Sequence, residues 1–251
     1  MPAKSLPLAP EAPVALYIDG TRAAVLFCSP FDLDELAVGY AVSRRLISER
    51  GELASLAVRP DQRSVSLCTA SGKGIGREDE GYVFSACGAA SIREDPEPEG
   101  SDGPRAGASG EPLAFPRSLD MEGLGALSRR MFASAELYRK TGGMHIAALA
   151  SYPEERGAYF AAREDVGRHN AVDKVVGRGF LDGVDFRGTV LLTSGRIASD
   201  MVLKADAAGI PILVSRSIPT TEAYRLALER RIILVGRIGS AEPIVYSGGS
   251  L

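Results

Sequence analysis

Three groups of side chains in this chain have the types and spacing for chemistry. In YVFSACGAASI, residues 82–92, Cys87 stands among small residues that leave its sulfur uncrowded, which suits a reactive thiolate or a small buried side chain. In AREDVGRHNAVDKVVG, residues 162–177, Asp165, His169 and Asp173 recur every fourth residue, the spacing of an ionisable stripe on one helix face. Such a stripe is a solvated face with i,i+4 pairs such as Asn170 and Lys174, or else the wall of a site. The other of the chain's 2 histidines, His145, follows TGGM at a Gly-rich junction of helix and strand, so a pocket shared by both is open. Finally, TVLLTSGRIASD (189–200) and ILVSRSIPTTEA (212–223) each set a hydroxyl, Ser194 or Ser215, and an arginine, Arg196 or Arg216, just after an apolar strand. That chemistry suits a phosphate, and equally an ordinary capped turn.

The elements that must position these groups alternate regularly: HIAALA, GAYFAAR, a helix over 165–178, TVLLTS, a helix over 199–208, IPILVS, a helix over 220–230 and RIILVGRI. Strand and helix in turn predict a layered α/β domain with partly parallel strands, in which ligands collect beyond the carboxyl ends of the strands. Ahead of it, apolar spacing predicts one helix from Ser118 to Lys140, stopped at Gly142-Gly143. Near the start, PVALYIDGTRAAVLF predicts a hairpin about Asp19-Gly20, Asp32 and Glu35 are spaced as a capping box, and LASLAVRP and RSVSLCTA read as strands. Between these sections, REDPEPEGSDGPRAGASGEP, residues 93–112, has a linker's composition. The expected organisation is an α+β section over 1–92, a linker over 93–113 and an α/β domain over 114–251.

Composition narrows the partners. A formal charge of -3, from 29 basic and 32 acidic side chains, gives no support for broad binding to nucleic acid or to an anionic membrane. No apolar run is long enough to span a bilayer, and the Pro-rich start lacks the order of a signal peptide, so a cytoplasmic protein is expected. Three separated cysteines, Cys28, Cys68 and Cys87, fit a reducing compartment, and without a CxxC pair no structural zinc is expected.

The ordered series TGGMHIA, REDVGRHNAVDKVVG, SGRIASDMVLKADAAGIP and LVGR followed by VYSG resembles the formate dehydrogenase accessory sulfurtransferase family, the FdhD type, from about Pro13 to Gly248. The resemblance implies a cytidine deaminase-like three-layer α/β/α sandwich with a smaller N-terminal α+β section, assembled as a homodimer. It also implies that sulfur is accepted from a cysteine desulfurase as a persulfide and passed to the molybdenum of bis(molybdopterin guanine dinucleotide), which formate dehydrogenase then uses. It does not imply deamination, because the HxE and PCxxC elements of those zinc enzymes are missing. In the leading hypothesis that follows, Cys87 bears the persulfide and no metal is held by side chains. Arg196, Arg216 and Arg237 pair with phosphates, while Ser194, Ser215, His145, Asp165 and His169 line the pocket. The loop Arg237, Ile238, Gly239, Ser240, Ala241, Glu242 contacts the cofactor.

Two departures bear on function. The family's reactive loop is usually CGxCG; aligned without a gap, CGAASI puts Cys87 at the second cysteine and Phe84 at the first, whereas a three-residue deletion would put Cys87 at the first. Either way one thiol is lost. A single thiolate can still take up sulfur by exchange, but releasing it as sulfide takes two electrons that an external reductant must then supply. A sulfur carrier and a cofactor-delivery protein without sulfur transfer are therefore both open. A nucleotide-processing enzyme on the same fold lacks a converging base, metal set or nucleophile. In RIGSAEP, Ala241-Glu242 replaces the family's Gly-Arg pair, and a glutamate facing a pyrophosphate is repelled by it.

Overall fold

The computed structural model describes residues 8–72, 81–83, 119–153 and 158–248; Cys87 and the expected linker lie outside them. The chain begins with the expected hairpin, β1 (Ala12–Ile18) and β2 (Thr21–Cys28), paired antiparallel. Asp19 at φ 49 and Gly20 at φ 81 both take the left-handed conformation that a tight two-residue hairpin turn requires. The Asp19 carboxylate accepts from the Thr69 amide (2.6 Å) and hydroxyl (2.7 Å), so the turn also anchors β4 (Ser64–Thr69). With β3 (Leu53–Arg59) and β5 (Gly81–Val83) these strands form a mixed sheet in the order β3-β4-β1-β2-β5.

A second mixed sheet runs β11-β10-β9-β8-β6-β7, from β6 (His145–Ser151), β7 (Phe160–Asp165), β8 (Thr189–Thr193), β9 (Ile212–Ser215), β10 (Ile233–Gly236) and β11 (Ile244–Ser247). Strands β8, β9 and β10 are parallel and buried throughout, whereas β6 runs against β8. The start of β6 therefore lies beside the carboxyl ends of the parallel strands, and this brings His145 to them.

Pleating divides the second sheet's apolar residues between two faces. Ile146, Leu192 and Val214 pack against Leu124, Leu127 and Met131 of α2 (Met121–Ser134). On the opposite face Leu149, Leu191 and Leu213 join α4 (Arg168–Asp182), α5 (Ser199–Ala208) and α6 (Thr221–Arg230) in a larger core. That core continues through α1 (Leu33–Ser43) into Leu16, Leu26 and Leu67 of the first sheet, so the N-terminal section and the α/β section share it. Ten of the eleven residues of α1 are buried, as befits a helix enclosed on every side.

The crossing of α1 and α4 is made by glycines. A Cβ built on Gly39 would overlap the carbonyl of Asp173, and one built on Gly177 would overlap that of Glu35 and stand 2.7 Å from the Gly39 nitrogen. The two backbones touch because neither position carries a side chain.

Three expected elements differ. The helix over 118–140 breaks at Ala135 into α2 and α3 (Glu136–Thr141), although it ends at left-handed Gly142 as expected. The Asp32/Glu35 box does not form: Asp32 sits at φ 51 without a side-chain cap, and Glu35 instead makes a bidentate pair with Arg163 at 2.5 and 2.6 Å. Helix α4 starts at Arg168, which leaves Asp165 as the last residue of β7. Among the described residues no helix is long and apolar enough to cross a membrane.

Candidate functional site

Beyond the carboxyl ends of β8 and β9 lies a cleft of about 560 Å³, where three of the residues singled out in the sequence meet: His145, Ser194 and Arg216. Each arrives from a different strand end. Phe132 of α2 and Tyr138 of α3 supply an aromatic wall, Gly142 to Met144 the connecting rim, and Ser217 the far side. The guanidinium of Arg216 lies 4.6 Å from the Phe132 ring centroid, a cation–π contact that orders an exposed side chain. His145 Nδ1 is 3.3 Å from Ser194 Oγ, which also accepts the Ile146 amide at 3.1 Å. An exposed arginine, a histidine, hydroxyls and two aromatic rings fit an anionic molecule with a flat ring.

Burial lowers the pKa of His145, Arg168 and His169 lower it further, and Asp165 opposes them. The ring is therefore neutral at pH 7. Because the folded value lies below the unfolded 6.5, the unfolded chain binds more protons, and this contribution to stability is lost as pH falls through the folded pKa. The same protonation adds a cation beside Arg216. Affinity for a phosphate ligand is thus expected to rise more steeply in the native protein than in a His145→Gln variant as pH falls below about 6.5. Calorimetric titration of both proteins across that interval cancels the ligand's own ionisation and checks the sign.

The remaining residues fall in other places. Asp165 is fully buried and turned inward: it accepts from the Ser29 amide (3.0 Å), the Gly167 amide (2.8 Å) and Asn170 (3.1 Å), and pairs with Lys174 at 2.7 Å. His169 is buried too, paired through Nε2 with Asp200 of α5. Asp173, third in the stripe, pairs with buried Lys204 at 2.5 Å and accepts from Ser43. The stripe is therefore neither a solvated face nor a cleft wall; it ties the end of β7 and α4 to the segment after β2, to α1 and to α5. Ser215 is buried, donating to Gly195 O at 2.5 Å and accepting from Ser217 N at 2.9 Å, so it shapes the turn that carries Arg216.

Arg196 is exposed and outside the cleft lining, although its loop is held to the Arg216 loop by Ile197 N to Ile218 O (3.3 Å) and Thr220 N to Ile197 O (2.9 Å). The Arg237 to Glu242 loop starts beside the cleft, where the Arg237 amide donates to Ser217 O at 2.9 Å. The side chain of Ile238 is buried in the core facing α2, whereas Arg237, Gly239, Ser240, Ala241 and Glu242 are exposed. Glu242 does not line the cleft.

Two residues of the wall, Phe132 and Tyr138, were missed because the helical spacing was satisfied by Met131 and Leu137. The available signal was the Gly142-Gly143 stop immediately ahead of His145. Among the cysteines described, Cys28 is fully buried and its thiol is pushed up to about 12 by burial and by Asp165, so it is no thiolate nucleophile at neutral pH. No group of three or more potential metal ligands occurs among the described residues.

Fold and site together define a mixed α/β protein with a polar, arginine-bearing cleft beyond its parallel strands. Residues 9–250 match the model of the FdhD/NarQ family, and the chain belongs to that family. It is 34% identical over 259 residues to the sulfur carrier protein FdhD of Streptomyces avermitilis, covering 96% of this chain and 87% of that one. To the protein of the same name from Staphylococcus aureus strain MRSA252 it is 30% identical over 239 residues, covering 94% and 86%. A solved structure from Desulfotalea psychrophila, described as a formate dehydrogenase accessory protein, superposes with a TM-score of 0.72 at 25% identity and covers 97% of this chain and 89% of that one.

Proposed function

We propose that this protein is a sulfur carrier in molybdenum cofactor maturation, required for formate dehydrogenase activity. Cys87 takes sulfur from a cysteine desulfurase, and the cleft holds the guanine dinucleotide end of bis(molybdopterin guanine dinucleotide). The observation that carries this reading is family membership across residues 9–250, with curated relatives named sulfur carrier proteins. The cleft supports it: Arg216 and His145 suit phosphates, the aromatic wall suits a purine, and Glu242 stays outside the lining. A homodimer with a cytidine deaminase-like three-layer core, working in the cytoplasm, belongs to the same reading.

In the loading step the Cys87 thiolate attacks the outer sulfur of the desulfurase persulfide. One S–S bond forms, one breaks, and the desulfurase thiolate leaves, with no net redox change. Delivery as sulfide needs two electrons; with one cysteine in CGAASI, these come from an external thiol, which ends as a disulfide. Incubation with a cysteine desulfurase and cysteine is expected to add the mass of one sulfur atom, lost in Cys87→Ala. Intact-chain mass spectrometry decides. The single cysteine favours the second reading, a cofactor-delivery chaperone, and that reading prevails if no sulfur is gained while guanosine diphosphate still binds.

A further inference from the structure

The wall of the cleft depends on a residue that does not touch it. The N-cap position of α3 is Ala135, which has no side chain able to take the helix's open amides. Glu164 supplies that cap from β7, where it pairs with Ile146 of β6. Its two carboxylate oxygens accept from the Leu137 amide at 3.0 Å and the Tyr138 amide at 2.6 Å. The other end of α3 is closed by Gly142 N to Tyr138 O at 2.8 Å and by Thr141, whose hydroxyl donates to Leu137 O at 2.9 Å. Arg139 reaches back to the carbonyls of Phe132 and Ala133, holding the end of α2 beside the start of α3.

The outcome of this pinning is Tyr138, edge-on to Phe132 at 5.9 Å and 66°. The residue is 36% exposed and lines the cleft. Tyr138 is thus an ordered, partly bare aromatic surface next to a guanidinium that is itself fixed on Phe132.

We propose that Tyr138 is the stacking surface for the purine of the bound nucleotide, and that Glu164 is the positioning residue that holds it there by capping α3. This rests on the reading of the cleft as a nucleotide site. Stacking of a base on an aromatic side chain is worth roughly 5- to 150-fold in affinity when the ring is removed.

The test compares guanosine diphosphate with inorganic pyrophosphate by calorimetric titration of the full chain. Tyr138→Ala is expected to lose roughly tenfold or more toward guanosine diphosphate and little toward pyrophosphate, while Tyr138→Phe keeps most of the affinity. Glu164→Ala is expected to show the same base-selective loss, and Glu164→Gln, which retains one acceptor oxygen, to restore most of it. Equal losses for both ligands in Glu164→Ala would reduce it to a structural support and overturn its proposed role. Unchanged guanosine diphosphate binding in Tyr138→Ala overturns the stacking surface and leaves the nucleotide site standing, whereas a native protein that binds neither ligand overturns both.

Discussion

An Asp165→Ala variant is expected to be about 3–5 kcal/mol less stable than the native protein, the cost of leaving one member of a buried ion pair alone. Lys174 has no exposed side-chain surface, and without the carboxylate its ammonium keeps, among the described residues, the Ser29 carbonyl at 3.1 Å and the face of Phe31 at 4.2 Å. The amides of Ser29 and Gly167 and the side chain of Asn170 lose an acceptor at the same time. Each orphaned donor adds to the loss, since a buried polar group pays its full desolvation when unpaired. Domains of this kind are commonly stable by about 5–15 kcal/mol, so the variant sits near the threshold of folding. Urea melts measure the shift in midpoint; replacing Lys174 by Met in the same chain is expected to recover part of the loss, because the lone charge is then gone.

The second large effect comes from the helix crossing. Gly177→Ala is expected to cost about 3 kcal/mol or more, at or above the upper end of ordinary overpacking, because the new methyl meets the backbone of Glu35 and Gly39 rather than a side chain that can turn away. Relief requires α1 and α4 to separate, and this opens the core that joins both sections. A Gly188→Ala variant is the matched control: nothing lies within 4 Å of a Cβ there, and a change within about 1 kcal/mol is expected in the same melts.

What could be read from the sequence was whatever local chemistry decides. The Asp19-Gly20 turn needs two left-handed residues and has them, and the alternation of strands with α4, α5 and α6 follows from apolar periodicity alone. The cleft was legible in outline, because His145, Ser194 and Arg216 sit where strands end. What escaped were features decided by partners distant in the chain. The break at Ala135 coincides with a cap from Glu164, and the Asp32/Glu35 box gives way to a bidentate arginine 128 residues away. The regular spacing of Asp165, His169 and Asp173 looked like a surface because its partners, Ser29, Asp200, Ser43 and Lys204, lie on other elements. In this fold much of the REDVGRHNAVDK stretch is a knot of buried polar contacts.

The bond from Ser29 to Asp165 spans 136 residues, and this fixes an order of events during synthesis. A ribosome adding about 5–20 residues per second needs roughly 7–27 seconds to make the second partner after the first. Through that interval the nascent chain carries α1 with neither α4 to cover its glycine face nor α5 beside it, so an apolar helix waits in the open. Contacts of such long range make final assembly slow as well as late. Productive folding of this protein is therefore paced by the arrival of α4 and α5 in its last third, and the hazard of premature association falls on the N-terminal section.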